Sequence, residues 1–135
     1  HPTANNYQKI DRQMRKEAAR EAISSLSETH GLFFFYRGGE RMDIEMAKVV
    51  KAFSERYDLS MISISVDGVL IEGMPNNTVD MTKTYSLDIT HFPSLLLVDP
   101  KTDVIKPIHT VFATQDVLEE TFWLISRDFK GASSW

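Results

Sequence analysis

Apolar residues recur at helical spacing over residues 6–29, where Tyr7, Ile10, Met14, Ala18, Ala22, Ile23 and Leu26 stand between charged side chains. This pattern predicts one long amphipathic helix, with Thr3, Asn5 or Asn6 as its N-cap and Gly31 as its stop. Such a stripe faces either a partner or the chain's own core, and the core is the commoner use. Leu32-Phe33-Phe34-Phe35-Tyr36 is then an unbroken apolar run that ends at Arg37 and two glycines. That is the pattern of a strand over residues 32–37 buried on both faces. Met46, Val50, Phe53 and Tyr57 step along one side of a helix over residues 43–57. Over residues 59–66 the period changes, and Met61, Ser63 and Ser65 alternate with Ile62, Ile64 and Val66. This strand has unlike faces, and Asp67-Gly68 closes it.

Residues 73–78, rich in Gly, Pro and Asn, read as loop, and residues 79–87 as a short helix capped by Thr78. A strand over 94–98, turn chemistry over 99–103 and a second strand over 104–110 predict a hairpin. The last helix starts at Thr114, stripes Leu118, Phe122, Ile125 and Phe129, and closes at Arg127, Lys130 and Gly131. Asp116, Glu119 and Glu120 near its start and the basic residues near its end match the helix dipole. The order is α, then β-α-β, then α, then β-β-α. A crossover helix implies a parallel strand pair and a hairpin an antiparallel one. The class is therefore α/β, a central mixed sheet flanked by helices on both faces. The one break is at His30-Gly31, which divides an N-terminal helix over residues 1–30 from a domain over residues 31–135.

At 135 residues, 42% hydrophobic and 25% charged, the chain is sized for a core that needs no staples. No apolar run approaches the roughly 20 residues that cross a bilayer. A net charge of −4 and a pI near 5.5 lack the basic excess that releases counterions from a phosphate backbone, which argues against nucleic acid as a partner. The chain has no cysteine, so disulfides, thiol catalysis and thiolate metal sites are excluded while the compartment stays open. His30, His91 and His109 match no zinc-binding spacing and read as loop or partner-facing residues, so neither metal nor cofactor is expected. The absence of a Gly-x-Ser-x-Gly elbow argues against a hydrolase. No basic and apolar signal segment opens the chain, and the start at His1-Pro2 reads as a processed or excised piece.

The element order, with Phe92-Pro93 at the head of the hairpin, resembles the thioredoxin fold over residues 31–131. Counting back from Tyr57 places the two thioredoxin cysteines at Glu40 and Asp43. Several strings appear in order: Phe34-Phe35-Tyr36-Arg37-Gly38, Ser65-Val66-Asp67-Gly68, Phe92-Pro93, Leu97-Val98-Asp99-Pro100-Lys101 and Asp128-Phe129-Lys130. Together they resemble the carboxy-terminal domain of the TraF family, pilus-assembly proteins of F-type conjugative transfer systems. That resemblance implies a periplasmic, thioredoxin-like assembly factor of the conjugative pilus and its type IV secretion system, without the redox pair and without enzymatic activity. It implies other transfer proteins as partners. It also implies a signal peptide and an amino-terminal region in family members that this chain lacks.

The resemblance places the site as well. Thioredoxin-like proteins receive extended peptides beside a cis proline, which implies a cis Phe92-Pro93 bond and a protein-binding surface nearby. Its residues are Tyr36, Arg37, Gly38, Gly39, Glu40, Arg41, Met42, Asp43, His91, Phe92 and Pro93. Arg37, Arg41 and His91 beside Met42 and Phe92 make the mixture of a polar rim and an apolar centre. As an acid/base pair, Glu40 and Asp43 need split pKa values. The plainer reading is that the helix dipole favours carboxylates there, by about 0.3–1 kcal/mol each. Gly38-Gly39 has the makings of an anion-holding nest but, without a phosphate-loop lysine, reads as a turn. The expected function is protein binding in pilus assembly. The alternatives are a redox-inactive peptide-binding chaperone and an isomerase-like enzyme using Glu40 and Asp43.

Overall fold

The computed structural model describes residues 4–82, 87–108 and 113–133. In chain order they form α1 (Ala4–Ser27), β1 (Gly31–Tyr36), α2 (Arg41–Arg56), β2 (Ser60–Ser65), β3 (Asn77–Val79), β4 (Ser94–Asp99), β5 (Val104–Ile108) and α3 (Gln115–Ser133). The strands make one mixed sheet in the order β3-β2-β1-β4-β5. β1 pairs in parallel with β2, as the α2 crossover requires, and antiparallel with β4. β4 and β5 form the hairpin, with Asp99 opposite Val104.

β1 sits at the centre, and its apolar run serves both faces. On one face Leu32, Phe34 and Tyr36 pack with Leu95 and Leu97 of β4, Ile23 and Leu26 of α1, Met46, Val50 and Phe53 of α2, and Leu118 and Phe122 of α3. The Phe53 ring centroid lies 4.9 Å from those of both Tyr57 and Phe122, and each fully buried ring of this kind contributes on the order of 1.5–3 kcal/mol. On the other face Phe35, Ile64 and Leu96 lie against Leu87, Ile89 and Phe92. Among the described residues all three helices therefore share the first face. None of them is long and apolar enough to cross a membrane.

Several boundaries depart from the sequence pattern for local reasons. Gly31 does not stop α1, because the Thr29 and His30 amides donate to the Leu26 carbonyl at 3.1 and 2.8 Å and cap the helix end without a glycine. Gly31 instead opens β1. Only part of the α1 stripe reaches the core: Ile23 and Leu26 are buried, joined by Ala19 from outside the stripe, while Tyr7, Ile10 and Met14 are 72, 54 and 66% exposed. Ala18 also faces solvent. α2 starts at Arg41 with Glu40 as its N-cap residue. Thr78 and Val79 begin no helix, since residues 77–79 pair in parallel with β2. Thr114 does cap α3, its hydroxyl accepting the Val117 amide at 3.3 Å, and the helix continues through Gly131 to Ser133. Thr3, residues 83–86, His109, Thr110 and the side chains of Phe129 and Lys130 lie outside the described residues.

The three helices meet at a buried carboxylate. Glu119 of α3 accepts a hydrogen bond from the Tyr57 hydroxyl, with Arg20 of α1 and Arg56 of α2 at 3.9 and 3.8 Å. Burial, and then the Glu119 carboxylate, pushes the Tyr57 pKa from 10.0 up to about 12.

Candidate protein-binding site

Tyr36 ends β1 fully buried. Its hydroxyl donates to Asn77 Oδ1 at 2.5 Å and accepts the Ile71 amide at 3.1 Å, which fastens β3 and the segment before it to the sheet. Burial raises its pKa. Arg37 then leaves the strand and turns back over α2. Its backbone amide donates to Asp43 Oδ2 at 2.7 Å, its Nε to the same oxygen at 3.1 Å, and its Nη2 to Oδ1 at 3.0 Å. Asp43 is fully buried. A buried carboxylate is sustainable here because a forked guanidinium and an amide satisfy it. The hydrogen bonds to Asp43 in turn raise the Arg37 pKa.

The same Nη2 donates to the Phe92 carbonyl at 3.2 Å, and the guanidinium carbon lies 5.8 Å from the Phe92 ring centroid, within cation–π range. One side chain thus joins the end of β1, the first turn of α2 and the Phe92-Pro93 turn. The Phe92-Pro93 peptide bond is cis.

Gly38 and Gly39 do more than turn the chain. Their amides form the nest, and the anion in it is the protein's own Asp67. Gly38 and Gly39 donate to its two oxygens at 3.0 and 2.9 Å, joined by the Val69 amide and the Ser65 hydroxyl, each at 3.0 Å. Desolvation disfavours the charged form, but the Gly39, Val69, Gly38 and Ser65 donations outweigh it and hold Asp67 below the usual carboxylate range. Gly38 is demanded by contact, since a Cβ there would lie 1.9 Å from the Val69 carbonyl oxygen.

Of the residues expected at the surface, Tyr36, Gly38 and Asp43 are buried and build the site from below. Gly39, Glu40, Arg41, Met42 and His91 are exposed, and Arg37, Phe92 and Pro93 are half-buried. Glu40 and Asp43 differ sharply in setting: Glu40 stands in solvent with no side-chain cap bond, while Asp43 is occupied by Arg37. Arg37 is a bound structural cation rather than a loose rim charge. Asp67, Val69 and Leu70 extend the site beyond the residues read from sequence, with Val69 and Leu70 about half exposed beside the glycine pair at 49 and 50%. The Ser65-x-Asp67-Gly68 string was their one signal, a short polar side chain and a carboxylate poised just past a strand.

Past the cis bond an apolar groove of about 590 Å³ runs along the second sheet face, lined by Leu87, Ile89, His91, Pro93, Leu96, Ile105 and Pro107. His91 Nδ1 meets the Thr90 hydroxyl at 2.8 Å. His30 lies away from the site, with Nε2 4.0 Å from Asp99. Among the described residues no three His, Asp or Glu side chains gather as metal ligands.

The family described as "TraF: F plasmid transfer operon protein" matches residues 1–123. Protein TraF of Escherichia coli (strain K12) is 40% identical over 111 residues, which cover 82% of the chain and 45% of that protein. The chain thus spans less than half the length of this relative. Among solved structures, MTB DsbF in its mixed oxidised and reduced forms superposes with a TM-score of 0.56 at 14% identity, covering 75% of the chain and 84% of DsbF. The reduced N-terminal domain of PilB from N. meningitidis does so with a TM-score of 0.52 at 14% identity, covering 77% and 83%. At such identity the likeness is one of fold, and the fold is thioredoxin-like.

Proposed function

The chain belongs to the TraF family of F plasmid transfer operon proteins, and on that premise we propose that it is a non-enzymatic periplasmic factor that binds other transfer proteins during assembly of the conjugative pilus and its secretion apparatus. The observation that carries this reading is the state of the strand-end loop. The chain has no cysteine, and Asp43 is engaged by Arg37, so the loop offers neither a thiolate nor a free buried acid. Disulfide exchange needs the thiolate.

What the loop does offer is a shaped surface. Met42, Val69 and Leu70 are exposed apolar residues, and Arg41 and His91 are exposed polar ones. That combination suits an interface centre with a polar rim. The bonds of Asp43 and Asp67 hold the loop in shape before a partner arrives, which lowers the ordering cost of association. The groove past Pro93 supports a second reading, capture of extended apolar peptides as a general chaperone.

Met42→Glu combined with Leu70→Glu in the full-length protein tests the proposal in a donor strain lacking the native copy. Conjugation is expected to fall at least about tenfold, the effect of roughly 1.4 kcal/mol of lost binding, with co-purification of other transfer proteins lost and the melting temperature unchanged. Undiminished conjugation and co-purification would overturn it. Capture of unfolded proteins unrelated to transfer would favour the chaperone reading. Arg37 is unsuitable as a probe, because reversing its charge sets two carboxylates together.

A further inference from the structure

We infer that the Met42 thioether is an oxidation site, and that its conversion to the sulfoxide by a peroxide-class oxidant turns partner binding at the strand-end surface off. The inference rests on the proposed binding role of that surface, and its test separates the two.

The chain has six methionines and no cysteine. With no thiolate present to consume a two-electron oxidant, the thioethers are its sulfur chemistry. They divide by burial. Met46, Met61 and Met74 are 9, 1 and 7% exposed, whereas Met14, Met42 and Met81 are 66, 59 and 58% exposed. An oxidant in solution reaches the second set directly and the first only when the fold opens. Met42 and Met46 stand about one turn apart on α2, so a single helix carries both an open and a shielded thioether.

Place distinguishes Met42 within the exposed set. It follows Arg41 in the first turn of α2, in the loop whose backbone is fixed by the hydrogen bonds of Asp43 and Asp67. Met14 lies on α1, and Met81 follows β3. Met42 belongs to neither buried cluster, so a change in its chemistry alters the surface and leaves the fold. A thioether is apolar, flexible and polarizable, and adapts readily to a partner. Its sulfoxide is polar and chiral.

The step balances with hydrogen peroxide alone. A sulfur lone pair attacks one peroxide oxygen, the O–O bond breaks, and the departing hydroxide takes up the proton of the transferred oxygen to leave as water. The sulfur gives up two electrons and the peroxide is reduced by two. The new S–O oxygen is a strong acceptor at the centre of the surface, and an apolar partner that closes over it leaves that acceptor without a donor. Affinity for the partner is expected to fall about tenfold.

The test uses the full-length protein carrying Met14→Leu and Met81→Leu, which lie outside the loop and leave Met42 as the one strongly exposed thioether among the described residues. The protein is treated with dilute hydrogen peroxide, and catalase ends the reaction. Peptide mass mapping then locates the added oxygen, and the treated protein is used to recover transfer proteins from a donor strain lacking the native copy. Oxygen is expected on Met42 and not on Met46, with recovery reduced about tenfold and the melting temperature unchanged. Methionine sulfoxide reductases of both epimer specificities are expected to restore recovery. Met42→Leu, compared with its own untreated level, is expected to lose nothing to peroxide. Equal oxidation of Met42 and Met46, full recovery with Met42 oxidised, or an equal peroxide loss in Met42→Leu would each overturn the inference. The binding role is judged without oxidant by Met42→Glu with Leu70→Glu. Loss of recovery in that variant beside full recovery in the sulfoxide form removes the switch and keeps the binding role, whereas full recovery in both removes both.

Discussion

Asp43 at the strand-end loop and Glu119 at the helix junction are both buried carboxylates beside arginine, and they are held in opposite ways. Asp43 receives one guanidinium as a fork, at 3.0 and 3.1 Å, with an amide at 2.7 Å. Glu119 receives the Tyr57 hydroxyl, while its two guanidiniums stand off at 3.8 and 3.9 Å. The first arrangement dictates direction, because a fork docks in one plane and carries Arg37 across to Phe92. The second supplies a positive surround that changes little with small helix shifts, since Coulomb energy varies slowly with distance. The same chemistry shapes a surface in one place and joins three helices in the other.

The comparison breaks if the two sites respond alike to mutation. Asp43→Ala is expected to cost the most, about 3 kcal/mol, toward the low end for a broken buried pair because Arg37 can turn to water. Urea unfolding measures it, and a cost no greater than that of Glu119→Ala would show that the fork adds nothing. Gly38→Ala comes next at about 1–3 kcal/mol for overpacking, because the Cβ meets the Val69 carbonyl oxygen and must displace the loop that carries Asp67. Tyr57→Phe is expected to cost about 0.5–1.5 kcal/mol, the net value of one hydrogen bond.

The pH profile sharpens the contrast further. The Tyr57 pKa is raised in the fold from 10.0 to about 12, so its stabilisation is complete below pH 10 and is lost as pH rises through 12. Tyr57→Phe is expected to flatten that alkaline limb in part, with Tyr36, also raised by burial, supplying the rest. Asp67 is depressed in the fold, so its contribution is present above its ordinary 3.8 and is lost as pH falls through its lower folded value. Asp67→Asn is expected to flatten the acid limb of a melting-temperature profile. This is the smallest effect, because the residue faces solvent.

The parts of the fold legible from sequence are those set by local periodicity or by a cap. The β1 run, the α2 stripe of Met46, Val50, Phe53 and Tyr57, and Thr114 at the head of α3 each state their element within a few residues. β3 does not, because Asn77, Thr78 and Val79 are too few to show a period and are held by distant groups: the Tyr36 hydroxyl on Asn77, and the Met61 carbonyl on the neighbouring Asn76. The β2 alternation was visible, but not that Ser63 and Ser65 would lie fully buried on the helix side. The Ser63 hydroxyl donates to the Pro75 carbonyl, and the one Ser65 proton is shared between Asp67 and the Val69 carbonyl, which no period reports. The candidate loop itself was located by resemblance and glycine content. Its two inner bonds were not, since Arg37 and Asp43 straddle a strand end and a helix start, and Asp67 reaches the glycine pair only after the chain has crossed the sheet.

A carbonyl oxygen has two lone pairs, and at Phe92 one of them is already given to a cation. On the proposed reading, a guest peptide laid across this strand end and seeking main-chain hydrogen bonds, the mode that disregards side-chain identity, meets an acceptor half occupied. On that reading selection passes from the guest's backbone to its side chains, to what fills the apolar groove beyond Pro93. Under the proposed function a strand end furnished in this way selects by sequence, the property a dedicated assembly partner needs and a carrier of arbitrary unfolded chains does not.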